Sequence, residues 1–270
     1  MNVCITGSIW GDMCGSPYEF HSECNPAKVD FNHPRRHATD DTILTLAVAK
    51  AILEKRPYQE TIFELANRYP KRGFGGNFYR KWIRDKKPEP YNSYGNGSAM
   101  RVSPVGWAFN TVDDVLREAK LSAECSHNHP YGIAIAQAVA LAIFMARKGQ
   151  DKAEIRAELE KRFGMEFPDN MKELRLIGKY QGFNETYRSV PPAISAFFLT
   201  ETFEDCIRQA IALGGDADTQ ACMAGGIAEA YYGIDPALQK DVVTILDKDD
   251  PDHFLSKIYL AFCQKYGVES

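Results

Sequence analysis

Gly214-Gly215-Asp216-Ala217-Asp218-Thr219 lies between two apolar runs, residues 210–213 and 221–232. The two glycines predict the end of a helix, because glycine adopts the left-handed conformation of a helix terminus without a Cβ clash. The acids and the threonine are typical of the cap and first turn of a second helix. Capping accounts for one of the two carboxylates. A pair of them in an apolar setting would repel each other unless a proton or a cation neutralised the charge.

A second stretch of the same composition lies far upstream. Thr39-Asp40-Asp41-Thr42 directly precedes an apolar helical run, residues 43–52. The two helix starts together offer four carboxylates and three hydroxyls, which are ligands for Mg²⁺, Mn²⁺ or Ca²⁺, whereas zinc would call for Cys and His at close spacing. We therefore hypothesise a two-metal site that bridges the two helix N-termini. For either stretch taken alone, an ordinary helix cap is the simpler interpretation.

Length and composition describe an ordinary globular chain. Its 270 residues are 44% hydrophobic and 25% charged, and a net charge of −4 gives no reason to expect nucleic acid or a membrane as partner. Seven cysteines without a Cys-x-x-Cys pair predict reduced thiols. No Lys or Arg precedes Lys28, so we expect no signal peptide, and the longest apolar run, residues 133–146, is too short to span a bilayer. These features predict a cytoplasmic protein.

Nearly every segment has helical spacing. Gly7, Gly11 and Gly15 recur every four residues and predict a helix that packs closely through a glycine face. Further helices are predicted over residues 43–54, 59–68, 111–123, 132–147, 151–163, 193–199, 203–213 and 251–266, and after Asp235-Pro236. Residues 167–192 are less regular, and no series of alternating strands is present. The sequence therefore predicts one compact all-α domain over residues 1–270.

Four further features could contact a ligand. Lys71-Arg72-Gly73-Phe74-Gly75-Gly76 could hold a phosphate through backbone NH groups, although glycine loops are common without one. Residues 91–106 combine glycines with short polar side chains, and such segments are often functional. Ser126-His127-Asn128-His129 could bind metal, support another ligand or stack on a ring, with an exposed loop as the simpler alternative. Glu19 is a candidate acid or a solvated loop residue.

These motifs, in this order, resemble those of the ADP-ribosylglycohydrolase family, which includes the dinitrogenase reductase-activating glycohydrolases and the ADP-ribosyl-acceptor hydrolases. The resemblance covers almost the whole chain. It rests on Gly11-Asp12 with Pro17-Tyr18-Glu19, on Thr39-Asp40-Asp41-Thr42, on Tyr94-Gly95-Asn96-Gly97-Ser98-Ala99-Met100-Arg101, on Ser126-His127 and on the central turn. It implies an orthogonal all-α fold that holds two Mg²⁺ or Mn²⁺ ions. Many relatives have Thr where this chain has Ala217, a difference that bears on the positioning of the neighbouring ligands rather than on metal binding itself.

The resemblance also implies roles for individual residues. The implied metal ligands are Thr39, Asp40, Asp41, Asp216, Asp218 and Thr219. Glu19 matches an acid that coordinates or gates the second metal and assists hydrolysis, and Glu19 or Asp41 would accept or relay the proton. The implied substrate-binding residues, which hold the diphosphate, ribose and adenine, are Gly73, Gly75, Ser93, Tyr94, Gly95, Asn96, Gly97, Met100 and His127.

The implied reaction is hydrolysis of the bond between ADP-ribose and a protein side chain. The partner would be an ADP-ribosylated protein or a small ADP-ribose conjugate, with a slight preference for arginine linkage over serine linkage. Two alternatives stay open: a phosphohydrolase or hydrolase of a free ADP-ribose derivative, and a non-catalytic ADP-ribose-binding relative. The intact set of acids argues against the inert relative, because uncompensated carboxylates are costly. The oligomeric state is not indicated.

Overall fold

The computed structural model describes residues 2–22, 24–181, 189–248 and 250–269. This part of the chain forms fourteen α-helices: α1 (Thr6–Gly15), α2 (Asp40–Glu54), α3 (Tyr58–Arg68), α4 (Gly76–Phe78), α5 (Ser103–Ala108), α6 (Val112–Glu124), α7 (Pro130–Arg147), α8 (Lys152–Phe163), α9 (Met171–Gln181), α10 (Val190–Phe198), α11 (Phe203–Ala212), α12 (Ala217–Tyr232), α13 (Ala237–Lys248) and α14 (Phe254–Tyr266). Helix α4 continues as a π-helix, Tyr79–Arg84. Two short strands, β1 (Asn2–Val3) and β2 (Val268–Glu269), pair in antiparallel orientation. The all-α class that the sequence predicts is confirmed.

Most helices begin and end within three residues of the sequence-based expectation. The segment expected to be less regular, residues 167–192, instead contains α9 and the start of α10, and its residues 182–188 lie outside the described residues. Helix α14 begins at Phe254, three residues after its predicted start. The delay has a local cause: His253 has a left-handed backbone with φ of 54°, and Asp250 Oδ2 accepts a hydrogen bond from Leu255 N at 2.8 Å.

Helix α7 is the central helix of the core. It is 18 residues long, longer than the apolar run seen in the sequence. By length and composition alone it could cross a membrane, so the expectation that this segment is too short is wrong. The protein buries 67% of this helix, which packs against α5, α6 and α12. Its apolar surface is therefore explained by its central position in the fold.

Helices α1 and α12 form a glycine seam, which we define as Gly7, Gly11 and Gly15 of α1 against the backbone of α12. A Cβ built on Gly11 would lie 2.7 Å from the carbonyl carbon of Ala221, and one on Gly15 would lie 2.5 Å from the Cα of Asp218. No side chain fits between the two backbones at these points. The seam is the close packing that the four-residue spacing predicts, and it brings the central acidic turn against α1.

We expect Gly11→Ala to destabilise the protein, because the added methyl group would overlap the backbone of Ala221. Overpacking of this kind costs about 1–3 kcal/mol, which lowers the unfolding temperature by roughly 2–10 °C in a chain of this size. Calorimetry of the metal-free protein measures the change. Gly76→Ala is the matched control, since among the described residues nothing lies within 4 Å of its added Cβ. Equal unfolding temperatures for the two variants would contradict the packing argument.

Candidate active site

The central turn is held open by two glycines and one glutamine. Gly214 and Gly215 have φ of 75° and 72°, a left-handed conformation that glycine adopts without strain. Gln220 Nε2 donates to the carbonyl oxygen of Gly214 at 2.7 Å. Asp216 is the N-cap residue of α12, yet among the described residues its side chain caps no helix NH. It accepts a hydrogen bond from Asn96 Nδ2 at 2.6 Å instead. The capping interpretation is therefore wrong for the Asp216 carboxylate.

The other acidic turn is anchored by a buried carboxylate on α1. Asp12 Oδ1 accepts from Thr39 Oγ1 at 2.7 Å, and its Oδ2 accepts from Thr39 N at 3.0 Å and Thr42 N at 3.2 Å. The Thr42 hydroxyl also donates to Oδ2. Thr39 Oγ1 in turn accepts from Asp41 N at 3.2 Å and caps α2. Asp12 is fully buried, so these bonds fix the start of α2 relative to the seam.

The two acidic turns meet in one cavity. Asp40, Asp41, Asp216, Asp218 and Thr219 all line it, together with Glu19. Carboxylate oxygens of Glu19, Asp216 and Asp218 lie within 4.8 Å of one another. The sequence-based expectation that the two helix starts face each other thus agrees with the geometry.

Glu19 is held beside the other acids by the backbone of the two residues that follow it. Phe20 N donates to the carbonyl oxygen of Gly215 at 2.6 Å, and Gly215 N donates to the carbonyl oxygen of His21 at 2.9 Å. These two bonds form an isolated antiparallel bridge between His21 and Gly215. The segment after α1 is therefore tied directly to the central turn, with Glu19 half-buried at the cavity wall.

The buried acids fit a divalent cation. Burial raises the pKa of Asp41 and of Asp218 well above the usual range, and neighbouring carboxylates raise both further. Asp41 Oδ2 is buried and has no hydrogen-bond partner in the described part of the chain. Such an oxygen is costly unless a proton or cation engages it. Hard carboxylate and hydroxyl oxygens at this spacing suit Mg²⁺ or Mn²⁺.

The raised pKa values give metal-free stability a defined pH dependence. In the window from the ordinary Asp pKa of 3.8 upward, the folded acids bind more protons than the unfolded ones, so stability falls as pH rises. We expect the metal-free protein to melt at a lower temperature at pH 8 than at pH 6. Metal at 100 times its Kd at pH 6 adds about 2.7 kcal/mol per site, or roughly 5–10 °C. The same metal concentration adds more at pH 8, because fewer protons compete with the metal for the carboxylates. Melting curves with EDTA or Mg²⁺ at both pH values check this; an equal metal effect at both would contradict it.

The cavity is about 290 Å³ in volume, and most of the expected substrate-binding residues also line it. They are Gly73, Gly75, Ser93, Gly95, Asn96, Gly97, Met100 and His127. Two expected site residues do not line it. Thr39 is buried with its hydroxyl engaged by Asp12, and Tyr94 is 50% exposed with its ring 5.7 Å from that of His129.

Part of the cavity lining is aromatic, and this feature was not predicted from the sequence. The Phe74 and Phe78 rings stack at 5.4 Å with 15° between their planes, and Phe78 stacks on Trp82 at 5.0 Å and 20°. Phe74 and Phe78 both line the cavity. The sequence signal is a spacing of four residues between aromatic side chains, although Phe74 lies before the start of α4. Arg101 and Tyr91 also line the cavity without having been assigned a role.

Comparison with known proteins agrees with this geometry. The model of the family described as ADP-ribosylglycohydrolase matches residues 3–266. The ADP-ribosylhydrolase ARH3 of Mus musculus is 29% identical over 86% of this chain and 83% of its own length. The ADP-ribosyl-[dinitrogen reductase] glycohydrolase of Rhodospirillum rubrum is 28% identical over 73% of this chain and 69% of its own.

A solved structure has the same fold. A chain of an ADP-ribosylglycohydrolase-related protein complex superposes with a TM-score of 0.73 at 22% identity, and the match covers 96% of this chain and 95% of that chain. The family match spans both acidic turns, the Glu19 segment and the glycine loops that line the cavity. This chain therefore belongs to the ADP-ribosylglycohydrolase family, whose members are glycosidic-bond hydrolases.

Proposed function

We propose that this chain removes ADP-ribose from a modified protein side chain and uses two divalent cations, Mg²⁺ or Mn²⁺, held by the acidic cluster. The observation that carries the proposal is the convergence of Glu19, Asp40, Asp41, Asp216 and Asp218 in one cavity beside glycine-rich segments. The names of the curated relatives support ADP-ribose as the group that is released. Thr219 completes the ligand set on the α12 side. Thr39 would contribute to metal binding by fixing the start of α2, which carries Asp40 and Asp41.

The acids and the glycine segments suggest how a substrate lies in the cavity. A Cβ added to Gly73, which has φ of 93°, would lie 3.6 Å from Asp40 Oδ1, so the glycine loop approaches the acids directly. We place the ribose at the acids and the diphosphate at this loop, where no side chain blocks the backbone. Gly97 and His127, which also line the cavity, would then face the adenosine part. Phe74 and Phe78 add apolar surface to the cavity lining.

Cleavage of the glycosidic bond builds positive charge at the anomeric carbon, and the leaving atom needs a proton. Bound divalent cations would hold ribose hydroxyls and lower the pKa of an attacking water. Asp41 is buried among the ligand oxygens, whereas Glu19 is half-buried at the wall and can exchange a proton with solvent. We assign metal binding to Asp41 and proton transfer to Glu19.

We favour arginine as the linked side chain. A protonated guanidinium leaves without further help, whereas a serine oxygen must receive a proton from an acid. Carboxylates that bind cations are ionised and cannot serve as that acid, so cleavage of a serine linkage would depend on Glu19 alone. Cleavage of an arginine linkage therefore does not require an acid in this cavity to protonate the leaving atom.

The test compares ADP-ribose release from an arginine-linked and a serine-linked peptide, each with Mg²⁺, with Mn²⁺ and with EDTA. We expect metal-dependent release of ADP-ribose, faster from the arginine linkage. Full activity in EDTA would contradict the metal role, and faster release from serine would overturn the linkage assignment. Release of phosphate from a free nucleotide would favour the phosphohydrolase alternative. Binding of ADP-ribose without turnover of either peptide would favour the non-catalytic one.

A further inference from the structure

His127 has its two ring nitrogens in different surroundings. Nδ1 lies 2.8 Å from Ser126 Oγ. Nε2 is directed toward Gly97, where an added Cβ would lie 2.9 Å from it. The ring lines the cavity. In a neutral imidazole one nitrogen donates and the other accepts. The nitrogen that carries the proton therefore decides whether this wall offers a ligand a hydrogen-bond donor or an acceptor.

The hydroxyl of Ser126 also contacts a buried cation. Arg101 is fully buried, and its Nη2 lies 2.8 Å from Ser126 Oγ and 2.7 Å from the carbonyl oxygen of Ser122. A guanidinium group has donors only. Ser126 Oγ must therefore accept a hydrogen bond from Arg101, and the hydroxyl proton of Ser126 has to point elsewhere.

That proton has one strong acceptor within reach. In the described part of the chain, His127 Nδ1 is the other oxygen or nitrogen atom bonded to Ser126 Oγ. The Ser126 side chain also has a hydrogen-bonding contact with Cys125 Sγ, but sulfur is a weak acceptor and Arg101 Nη2 already approaches it at 3.6 Å. If Nδ1 carried the proton, the buried hydroxyl of Ser126 would donate to no oxygen or nitrogen, which is costly. Ser126 therefore donates to an unprotonated Nδ1, and the ring proton is on Nε2.

The doubly protonated ring is disfavoured by the same surroundings. Burial lowers the pKa of His127 well below its usual range, and the positive charge of Arg101 lowers this pKa further. The imidazole is therefore neutral near pH 7, which leaves the choice between its two tautomers to the hydrogen bond from Ser126.

We propose that Arg101 and Ser126 are positioning residues that hold His127 as the neutral Nε2–H tautomer, so that the cavity wall presents a hydrogen-bond donor to an acceptor atom of the ADP-ribosyl group. The identity of the ligand rests on the proposed function; the tautomer rests on the geometry alone. Gly97 is part of the arrangement, because a side chain there would fill the space in front of Nε2.

The tautomer can be measured in the full-length protein without any ligand. Long-range proton–nitrogen NMR spectra of ¹⁵N-histidine protein separate the protonated from the unprotonated ring nitrogen, and His127→Gln identifies the signal. We expect Nδ1 to be unprotonated and Nε2 protonated in the wild type and in Ser126→Thr, which keeps the hydroxyl. Ser126→Ala should lose this preference and give averaged nitrogen shifts.

Ser122→Ala is the matched control. It removes another fully buried hydroxyl, which bonds the carbonyl oxygen of Ala119 at 2.9 Å, but leaves the Ser122 carbonyl that Arg101 uses. Its His127 spectrum should equal that of the wild type. A protonated Nδ1 in the wild type, or an unchanged spectrum in Ser126→Ala, would overturn the proposal.

Calorimetry with ADP-ribose and Mg²⁺ tests the ligand part. We expect Kd to rise about tenfold in Ser126→Ala, a change of about 1.4 kcal/mol, and to stay unchanged in Ser122→Ala and Ser126→Thr. Equal weakening in both alanine variants would overturn the role in binding and indicate a structural effect. Absence of ADP-ribose binding in the wild type, with the expected tautomer spectrum, would reject the proposed function and leave the tautomer assignment in place.

Discussion

Asp218→Asn should abolish hydrolysis and at the same time stabilise the metal-free protein. Asp218 is buried, and its pKa is raised first by that burial and then by the charges of Asp216 and Asp41. Asparagine has nearly the same shape and keeps an oxygen that can accept the 2.9 Å hydrogen bond from Thr219 N. It carries no charge, so it removes repulsion in the empty site and also removes a cation ligand.

The loss of hydrolysis and the gain in metal-free stability differ in size and are measured separately. Outer-shell partners alone change metal affinity or activity by about 10–100-fold, so loss of a ligand should lower the rate by more than about 100-fold. Relief of repulsion should add about 1–2 kcal/mol, seen as a rise of roughly 2–8 °C in the melting temperature in EDTA. The rise should be larger at pH 8 than at pH 5, because protonation neutralises the same carboxylate at low pH.

Asp250→Asn is the matched control for this variant. Asp250 is also buried, but it accepts hydrogen bonds from Tyr69 Oη at 3.0 Å and from Leu255 N at 2.8 Å, and none of these three residues lines the cavity. We expect it to melt at a lower temperature than the wild type and to keep its activity. Retained activity in Asp218→Asn, or a lower melting temperature in EDTA, would show that this carboxylate is a structural group rather than a cation ligand.

Asp12→Ala should have the largest effect on stability and should weaken metal binding from a distance. Asp12 accepts hydrogen bonds from the backbone NH and the hydroxyl of both Thr39 and Thr42. Each buried donor left without a partner costs about 1–3 kcal/mol, so the total loss should reach about 4–5 kcal/mol, the upper end for single substitutions. Loss of one like charge near Asp40 and Asp41 offsets only part of it.

Measurement of the Kd for Mn²⁺ distinguishes the role of Asp12 in fixing the start of α2 from a general loss of stability. If Asp12 fixes the start of α2, the Kd for Mn²⁺ should rise about 10–100-fold in Asp12→Ala, as for other outer-shell partners. Asp12→Asn keeps the shape but turns an NH₂ group toward NH and OH donors, so we expect it to fall between the wild type and Asp12→Ala. Asp250→Asn, in which the changed residue does not line the cavity, supplies a protein of lowered stability with Asp12 and the seam intact. An equal rise of Kd in Asp250→Asn would attribute the effect to loss of stability.

Local patterns in the sequence predicted much of the site. The two acidic turns and the four-residue glycine spacing are short-range signals, because helix starts and helix faces depend on residues within a few positions of one another. Their meeting in space followed from charge: acids such as Asp41 and Asp216 in apolar surroundings require a common counter-ion. The structure brings them into one cavity, as this argument expects.

The features that escaped prediction depend on long-range contacts. The bridge between His21 and Gly215 uses backbone atoms only and leaves no side-chain pattern to read. Thr39 is predicted to bind metal, and the hydrogen bond from its hydroxyl to Asp12, a partner 27 positions earlier in the chain, was not predicted. Asp216 looked like a helix cap because residue type and position fit, but Asn96 holds its carboxylate instead. In each case the interaction involves a group far away in the sequence, so the residues nearby could not predict it.

The glycine seam has a consequence for the choice of ion. Because Gly15 lies against the Cα of Asp218 with no side chain between them, no rotamer change can alter the separation of the two helices there. The Cα of Asp218 is therefore fixed relative to α1, and adjustment to a larger ion is left to the side chains of the candidate ligands. Mg²⁺ needs distances of about 2.0–2.1 Å and Ca²⁺ about 2.3–2.6 Å with more ligands. We therefore expect ionic radius, as well as charge, to affect which divalent cations bind, with Ca²⁺ binding more weakly than Mg²⁺.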